Sequence, residues 1–385
     1  MKFLYIGSND LFSRHELGFL ATLSMLGSVT AIQLGGGAGV EKLKIGSDNG
    51  TWDVSLYRIP CRSVLHMANC VNIVRGLLNL EDYDVVFATP RAPVLLAKYL
   101  ARGKRPVLLR LWSIRAAKLV NNLLLGGYED LLIFLPSLLA NFFYILHSTY
   151  IMTLDNVTYT FASKMYYVLA NRIIKVYPPY GYVVHPPHRH IAREDGMTRV
   201  SKLLEIIDRG GYILGFTVLS KKGVYLKAEA KIQAEALYLI AKKTNTDVVL
   251  AGSTLEDWKR VFPHIKPPKN LHIVGRGFGD ELLVKLYQKA EIIVLPITFL
   301  SISNRFLEAL FYGRPIITTS YAKYLHPELI HERHIYITDN VVKDTIRLLK
   351  SGHMLKTLEQ GAREAYARFF STKRNIEAIK RLVVI

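Results

Sequence analysis

The stretch LSISNRFLEALFYGRPIITT, residues 300–319, holds the plainest potential for anion chemistry in the chain. It follows an apolar run, IIVLP, that reads as a buried strand. Ser303 is an N-cap residue type, and Gly313 with Pro315 supplies stop signals, so the spacing predicts a helix over 304–311. The first amides of a helix lack intrahelical acceptors, and together with the helix dipole they stabilise negative charge placed above them. A phosphate is the natural occupant of such a position. Asn304 and Glu308 are four residues apart and share one helix face, while Phe306, Leu307, Leu310 and Phe311 supply the buried remainder. Taken alone, the segment fits equally well with Glu308 as a solvated helix residue and Arg305 as a surface charge.

A second candidate lies upstream. The strand-like YILGFTV leads into Leu219-Ser220-Lys221-Lys222-Gly223 and then a long helical pattern. A lysine at such a turn reaches a diphosphate as a point charge, although a solvated turn has the same composition.

The order GFTVLSKKG, VVLAGS, LHIVGRG, ELLVKLYQKAEIIVLP and SNRFLEALFYGRPIITT resembles the donor-binding half of the group 1 glycosyltransferases, also called glycosyltransferase family 4. The likeness spans residues 210–371; the first half resembles the family only through FLYIG and the helix SRHELGFLATLSMLG. It implies an α/β GT-B fold: two consecutive Rossmann-like doubly wound domains with a cleft between them. It also implies retaining transfer of a sugar from a UDP- or GDP-linked donor, with no metal and no cofactor beyond the nucleotide-sugar co-substrate. By the same resemblance Lys222 holds the donor diphosphate, and Glu308 is the second glutamate of a paired motif that binds the ribose. The backbone of Ser301, Ile302, Ser303 and Asn304 meets phosphate and sugar, Gly275, Arg276 and Gly277 border the base, and His15 faces the cleft from the first helix.

Three positions depart from the pattern. Leu300 stands where the first glutamate is expected, Thr217 where an arginine partners the lysine, and Trp112 where the first domain has a histidine. Arg110 is the nearest polar side chain on that strand face, and Arg276 and Arg305 are further candidates to restore the cationic clamp. The clamp expected to stabilise the leaving diphosphate is therefore Lys222, the amides of 301–304 and Arg305. Two rivals remain: an epimerase of the same architecture acting on donor alone, and a binding protein that has lost catalysis.

These residues need a scaffold. Strands are expected at 3–6, 29–34, 85–88, 107–111, 150–154 and 173–177, with helices at 14–26, 64–78 and 92–102. Pro178-Pro179-Tyr180-Gly181 and Pro186-Pro187 then break the rhythm. A second series follows, with strands at 212–218, 248–252, 271–274, 292–296, 315–319 and 334–338, and helices at 224–243, 280–290 and 304–311. The expected domains are 1–190 on the acceptor side and 191–371 on the donor side, with a last helix over 372–385 returning to the first.

The 385 residues carry a net charge of +19. Residues 85–128 and 156–193 contain no Asp or Glu, a field suited to phosphates on nucleotide or lipid. No RNA-type aromatic signature or zinc finger accompanies it, so nucleic acid is not an expected partner. Residues 131–152, LLIFLPSLLANFFYILHSTYIM, fit a membrane span, a buried core element or an interfacial helix. The flanking Glu129-Asp130 and Asp155 replace the Lys and Arg usual beside a span. A glycan or lipid-linked acceptor at an anionic membrane surface suits this composition. The start of the chain lacks signal-peptide features, which points to a cytoplasmic protein, peripheral on the membrane at most. Cys61 and Cys70 have no metal-site spacing and are expected as free thiols. Only four glutamines occur, which leans towards a heat-adapted source.

Overall fold

A computed structural model describes residues 1–8, 14–35, 37–61, 67–112, 131–184, 197–220, 224–275, 280–297 and 303–383. The chain divides into two units: residues 1–120, 129–185 and 368–385 form unit 1, and residues 121–128 and 186–367 form unit 2.

Unit 1 is built on a nine-stranded sheet. In chain order its elements are β1 (Lys2–Gly7), α1 (Arg14–Leu26), β2 (Ser28–Leu34), β3 (Gly39–Ser47), β4 (Gly50–Ile59) and α2 (Met67–Leu77). They continue with β5 (Val85–Ala88), α3 (Ala92–Ala101), β6 (Val107–Leu111), α4 (Leu131–Leu146), β7 (Tyr150–Thr153), α5 (Asn156–Met165), β8 (Ile173–Lys175) and β9 (Tyr182–Val183). The sheet order is β8-β7-β6-β5-β1-β2-β4-β3-β9. All pairings are parallel except those of β3, which runs antiparallel to β4 and β9.

Alternation along the strands makes two cores. Leu4, Ile6, Ile32 and Leu34 face the side covered by α2, α3 and α5. Phe3, Tyr5, Val29 and Ala31 face α1 and the chain's last helix, which buries Ile379 and Leu382 there. The segment 131–152 is a helix followed by strand β7, so it is not one continuous span. Among the described residues no helix is long and apolar enough to cross a membrane. Cys61 and Cys70 form a disulfide, which corrects the expectation of free thiols. Cys61, just after β4, and Cys70 in α2 have a Cα separation of 6.0 Å, within disulfide reach. Nothing in the spacing of two isolated cysteines reveals that pairing.

Unit 2 contains α6 (Met197–Arg209), β10 (Tyr212–Phe216), α7 (Val224–Lys243), β11 (Val248–Ala251), α8 (Leu255–Val261), β12 (Leu271–Val274), α9 (Asp280–Lys289), β13 (Ala290–Leu295) and α10 (Asn304–Phe311). It continues with β14 (Ile316–Thr318), α11 (Tyr321–Leu325), β15 (Tyr336–Ile337), α12 (Val341–Leu349) and α13 (Gly352–Ala365). The last helix, α14 (Thr372–Val383), belongs to unit 1. The six strands of unit 2 are all parallel in the order β12-β11-β10-β13-β14-β15. At Gly215 an added Cβ would lie 2.4 Å from Leu237 Cδ1, so glycine lets α7 press onto β10.

Candidate functional site

In unit 2 the chain goes from β10 outward through β11 and β12, then returns to the other side of β10 for β13, β14 and β15. The order therefore reverses between β10 and β13, which are hydrogen-bonded neighbours with Gly215 opposite Val294. A reversal of this kind opens a crevice at the carboxyl ends of the two strands, where ligands of doubly wound sheets bind. The described chain leaves those two strands through residues 217–220 and 296–297, just ahead of the two stretches singled out in the sequence.

Helix α10 starts where the sequence predicts. Ser303 is its N-cap residue, with an extended backbone and no side-chain cap bond. Glu308 is 1% exposed and is no solvated helix residue. Its Oε2 accepts from Tyr287 Oη at 2.6 Å and from Arg305 Nη1 at 2.7 Å. The Arg305 guanidinium also lies 4.6 Å from the Phe216 ring centroid, and its side chain stays partly exposed. Phe216 stacks on Tyr287, which stacks in turn on Tyr312. Burial pulls the Arg305 pKa down, but the neighbouring Glu308 carboxylate outweighs it and holds the cation above its usual range. Burial, reinforced by the same carboxylate, keeps the Tyr287 phenol protonated as a donor. A fixed cation is thus seated in the first turn of the helix, where amides already favour an anion. Tyr287 and Phe216 escaped the sequence reading because aromatics on a helix and a strand read as ordinary core.

Thr217 is buried, and its Oγ1 donates to the Ala230 carbonyl of α7. Next to it lies a knot that the sequence did not suggest. Ser253 Oγ donates to the Thr217 carbonyl at 2.8 Å and accepts from the Leu219 amide at 3.0 Å. Gly252 has φ +99°, and an added Cβ would meet the Thr217 carbonyl oxygen at 2.8 Å. Glycine and serine at that point fix the path of residues 217–220. Gly275 directly follows β12. Lys222, Arg276, Gly277, Ser301 and Ile302 lie outside the described residues.

Unit 1 gathers a second cluster at the carboxyl ends of its central strands. Glu16 and Arg110 are both fully buried and joined at 3.0 Å. Trp112 Nε1 donates to the same Glu16 oxygen at 2.7 Å. His15 Nε2 stands 3.4 Å from it, with the imidazole edge-on to the indole. Arg110 also lies over the Phe19 ring at 3.6 Å. Burial pushes the Glu16 carboxyl up against the pull of Arg110 and Trp112, and lowers Arg110 against the pull of Glu16. Arg110 is therefore held, fully buried, against Glu16. His15 keeps slight exposure and Trp112 is half-buried. Glu16 was not singled out in the sequence, although the signal is there. A carboxylate directly before the apolar helical run LGFLATL and an arginine in the apolar strand VLLRL each need a partner. Among the described residues no group of three or more His, Cys, Asp or Glu could hold a metal ion.

With this geometry in hand, comparisons with known proteins place the chain. Residues 224–350 match the family described as glycosyl transferases group 1. Among solved structures, sucrose-phosphate synthase from Thermosynechococcus elongatus superposes with TM-score 0.67 at 11% identity, over 99% of this chain and 98% of that one. A trehalose-6-phosphate structure from E. coli, bound with UDP-2-fluoro glucose, gives TM-score 0.63 at 9% identity, over 100% of this chain and 99% of that one. WaaG, a glycosyltransferase involved in lipopolysaccharide biosynthesis, gives 0.58 at 14% identity, over 98% and 99%. No curated protein matches the chain in sequence. At such identities the likeness establishes the fold, which is GT-B.

Proposed function

We propose that this GT-B chain, whose residues 224–350 match the group 1 glycosyltransferases, moves a hexose from a UDP- or GDP-linked donor held by unit 2 to a hydroxyl of a glycan acceptor carried on a lipid. The proposed reaction is retaining and needs neither a metal ion nor a cofactor besides the donor. One observation carries the reading. The strand order of unit 2 reverses between β10 and β13, and beyond β13 a helix starts whose first-turn arginine is locked onto buried Glu308.

In this reaction the sugar–phosphate bond breaks, and negative charge grows on the departing nucleoside diphosphate. Lys222, the amides at the start of α10 and Arg305 stabilise that charge, and prearranged donors of this kind supply most of the acceleration. Glu308 holds Arg305 in place before the donor arrives, so little reorganisation accompanies the reaction. The UDP-2-fluoro glucose carried by the E. coli structure supports a donor of this class.

Lys222→Ala tests the assignment. Release of nucleoside diphosphate from donor plus acceptor should fall by roughly tenfold or more, a loss of about 1.4 kcal/mol of transition-state stabilisation or greater. Wild-type turnover in the variant would refute it. A panel of nucleoside diphosphates scored by thermal stabilisation identifies the base. One rival is a protein that binds donor without catalysis. That rival predicts thermal stabilisation with no donor consumed by any acceptor.

A further inference from the structure

The end of the unit 1 sheet opposite the Glu16–Arg110 cluster carries a surface that sugar transfer does not use. Helix α4 has two distinct faces. Leu138, Tyr144 and Ile145 pack onto the core, whereas Leu139, Phe142, Phe143 and Leu146 are exposed by 63%, 37%, 47% and 48%. Those four positions follow i, i+3, i+4, i+7 spacing and form one apolar stripe. Phe142 stacks on Tyr166. Tyr167 and Val168, next to Tyr166 in the chain, are both strongly exposed. Contiguous apolar surface of this kind on a folded domain marks an interaction site.

Beside Leu146 opens a cavity of about 450 Å³ lined by Lys98, Arg105, His147 and Arg172, with Ser148 and Thr149 among its polar walls and no carboxylate in its lining. Arg105 donates to the Glu81 backbone carbonyl, an acceptor without formal charge. The absence of carboxylates has its origin in the two acid-free stretches of the sequence, which supply Lys98, Arg105 and Arg172. Val107 and Tyr150, the first residues of β6 and β7, also line the cavity, so it sits at the amino ends of the strands.

We infer that unit 1 docks on an anionic lipid surface, seating the Leu139–Phe142–Phe143–Leu146 stripe at the acyl boundary and headgroup phosphates on Lys98, Arg105 and Arg172. A lipid bilayer uses both halves of the patch: apolar side chains enter the headgroup–acyl boundary, and cations meet the phosphates. A polynucleotide would use the cations but has no use for the aliphatic Leu139, Leu146 and Val168. With 16 residues α4 is about 24 Å long, too short to cross and packed on its inner face, so it lies along the surface. Docking by the amino ends of β6 and β7 leaves the carboxyl ends of the sheet, with His15 and Trp112, open.

Flotation of the full chain with phosphatidylcholine vesicles, and with vesicles containing roughly one-third phosphatidylglycerol, tests this. The anionic vesicles should carry the chain and the neutral ones should retain roughly tenfold less or lower. The Leu139→Asn/Phe143→Asn/Leu146→Asn variant should lose about tenfold or more of its partition onto anionic vesicles. Lys98→Gln/Arg172→Gln should lose roughly 25-fold, near fivefold per cation, and show a weaker dependence on salt. All five side chains are exposed, and unchanged melting temperatures verify that the variants fold. The inference fails if wild type stays with neutral and anionic vesicles equally poorly, or if the apolar variant floats like wild type. It also fails if millimolar inorganic phosphate at constant ionic strength releases the chain, which would make the cavity a free-phosphate site. Binding of RNA without binding of vesicles would likewise overturn it. Thermal stabilisation by nucleoside diphosphate should be the same in every variant. Its absence throughout, with flotation intact, would count against the transferase reading alone.

Discussion

At the scale of single residues, Glu308 is the side chain on which the proposed donor site turns. It holds two donors that approach from different elements, Tyr287 from α9 and Arg305 from its own helix. Removing one member of a buried ionic pair leaves the other uncompensated, which costs more than never having had the pair. Glu308→Ala should therefore destabilise the chain by about 2–4 kcal/mol in urea unfolding, the lower part of the range reflecting the exposure of Arg305. Arg305→Met/Glu308→Leu should be less destabilised than Glu308→Ala, because no stranded charge remains. If Glu308→Ala unfolds at the wild-type midpoint, the carboxylate does not anchor the arginine. The sequence made Glu308 and Arg305 visible as neighbours on a helix start but gave no reason to link them to Tyr287. That link needs the tertiary placement of α9. Glu16 and Arg110 lie 94 positions apart and meet only because β6 and α1 come together at the centre of the sheet. Their pairing was foreseeable as a need, though not as a particular contact.

At the scale of elements, the rhythm of strand and helix was legible wherever burial is continuous. Helices at 14–26, 224–243 and 304–311 and strands at 85–88, 107–111 and 271–274 stand where periodicity puts them. The β3–β4 hairpin was not foreseen, although GVEKLKIGS and GTWDVSLYRI alternate and Asp48-Asn49-Gly50 is a turn signal. A reading tuned to parallel crossovers passes over strands whose outward face is charged. Helix caps make a sharper test of element energetics. Asp155 caps α5, accepting from the Thr158 amide at 2.7 Å and from its hydroxyl at 2.9 Å, and is completely buried. Burial outweighs these bonds and Lys175, and lifts its pKa from 3.8 to about 6. The folded chain thus binds this proton more tightly than the unfolded chain does. Stability contributed by the group is present at low pH and declines as pH rises from near 4 to about 6. A shift of this size corresponds to roughly 3 kcal/mol at 1.36 kcal/mol per pKa unit. Asn retains the cap without the charge. Asp155→Asn should remove the decline over this window and exceed wild type in stability at neutral pH, as measured by urea midpoints across pH. Equal pH slopes for the two proteins would show that Asp155 ionises normally.

At the scale of the whole molecule, the chain leaves unit 1, builds unit 2 and comes back for a single helix. Helix α14 is held by Asn375, whose Nδ2 donates to the Tyr177 carbonyl at 2.7 Å, and by Asp48, which accepts from the Thr372 amide at 3.1 Å. The Phe370 ring lies 5.0 Å from that of Tyr177. Ile379 and Leu382 complete the core that Phe19 and Phe87 begin. Burying two such side chains contributes roughly 3–6 kcal/mol. A domain's total stability is about 5–15 kcal/mol, so unit 1 has little margin without this helix. A chain ending at Ser371 should therefore lose the calorimetric transition of unit 1, or drop it by more than ten degrees or so. Unit 2 keeps its own core, in which Leu237, Trp258 and Leu358 are buried, and should melt as before. If donor binding resides in unit 2, nucleoside diphosphate at about 100 times its Kd should still stabilise that remaining transition, by roughly 2.7 kcal/mol. A truncated chain that keeps both transitions would show that α14 merely decorates unit 1. One that keeps the unit 2 transition but no longer responds to the nucleotide would show that the donor needs groups from unit 1 as well as Arg305 and the start of α10.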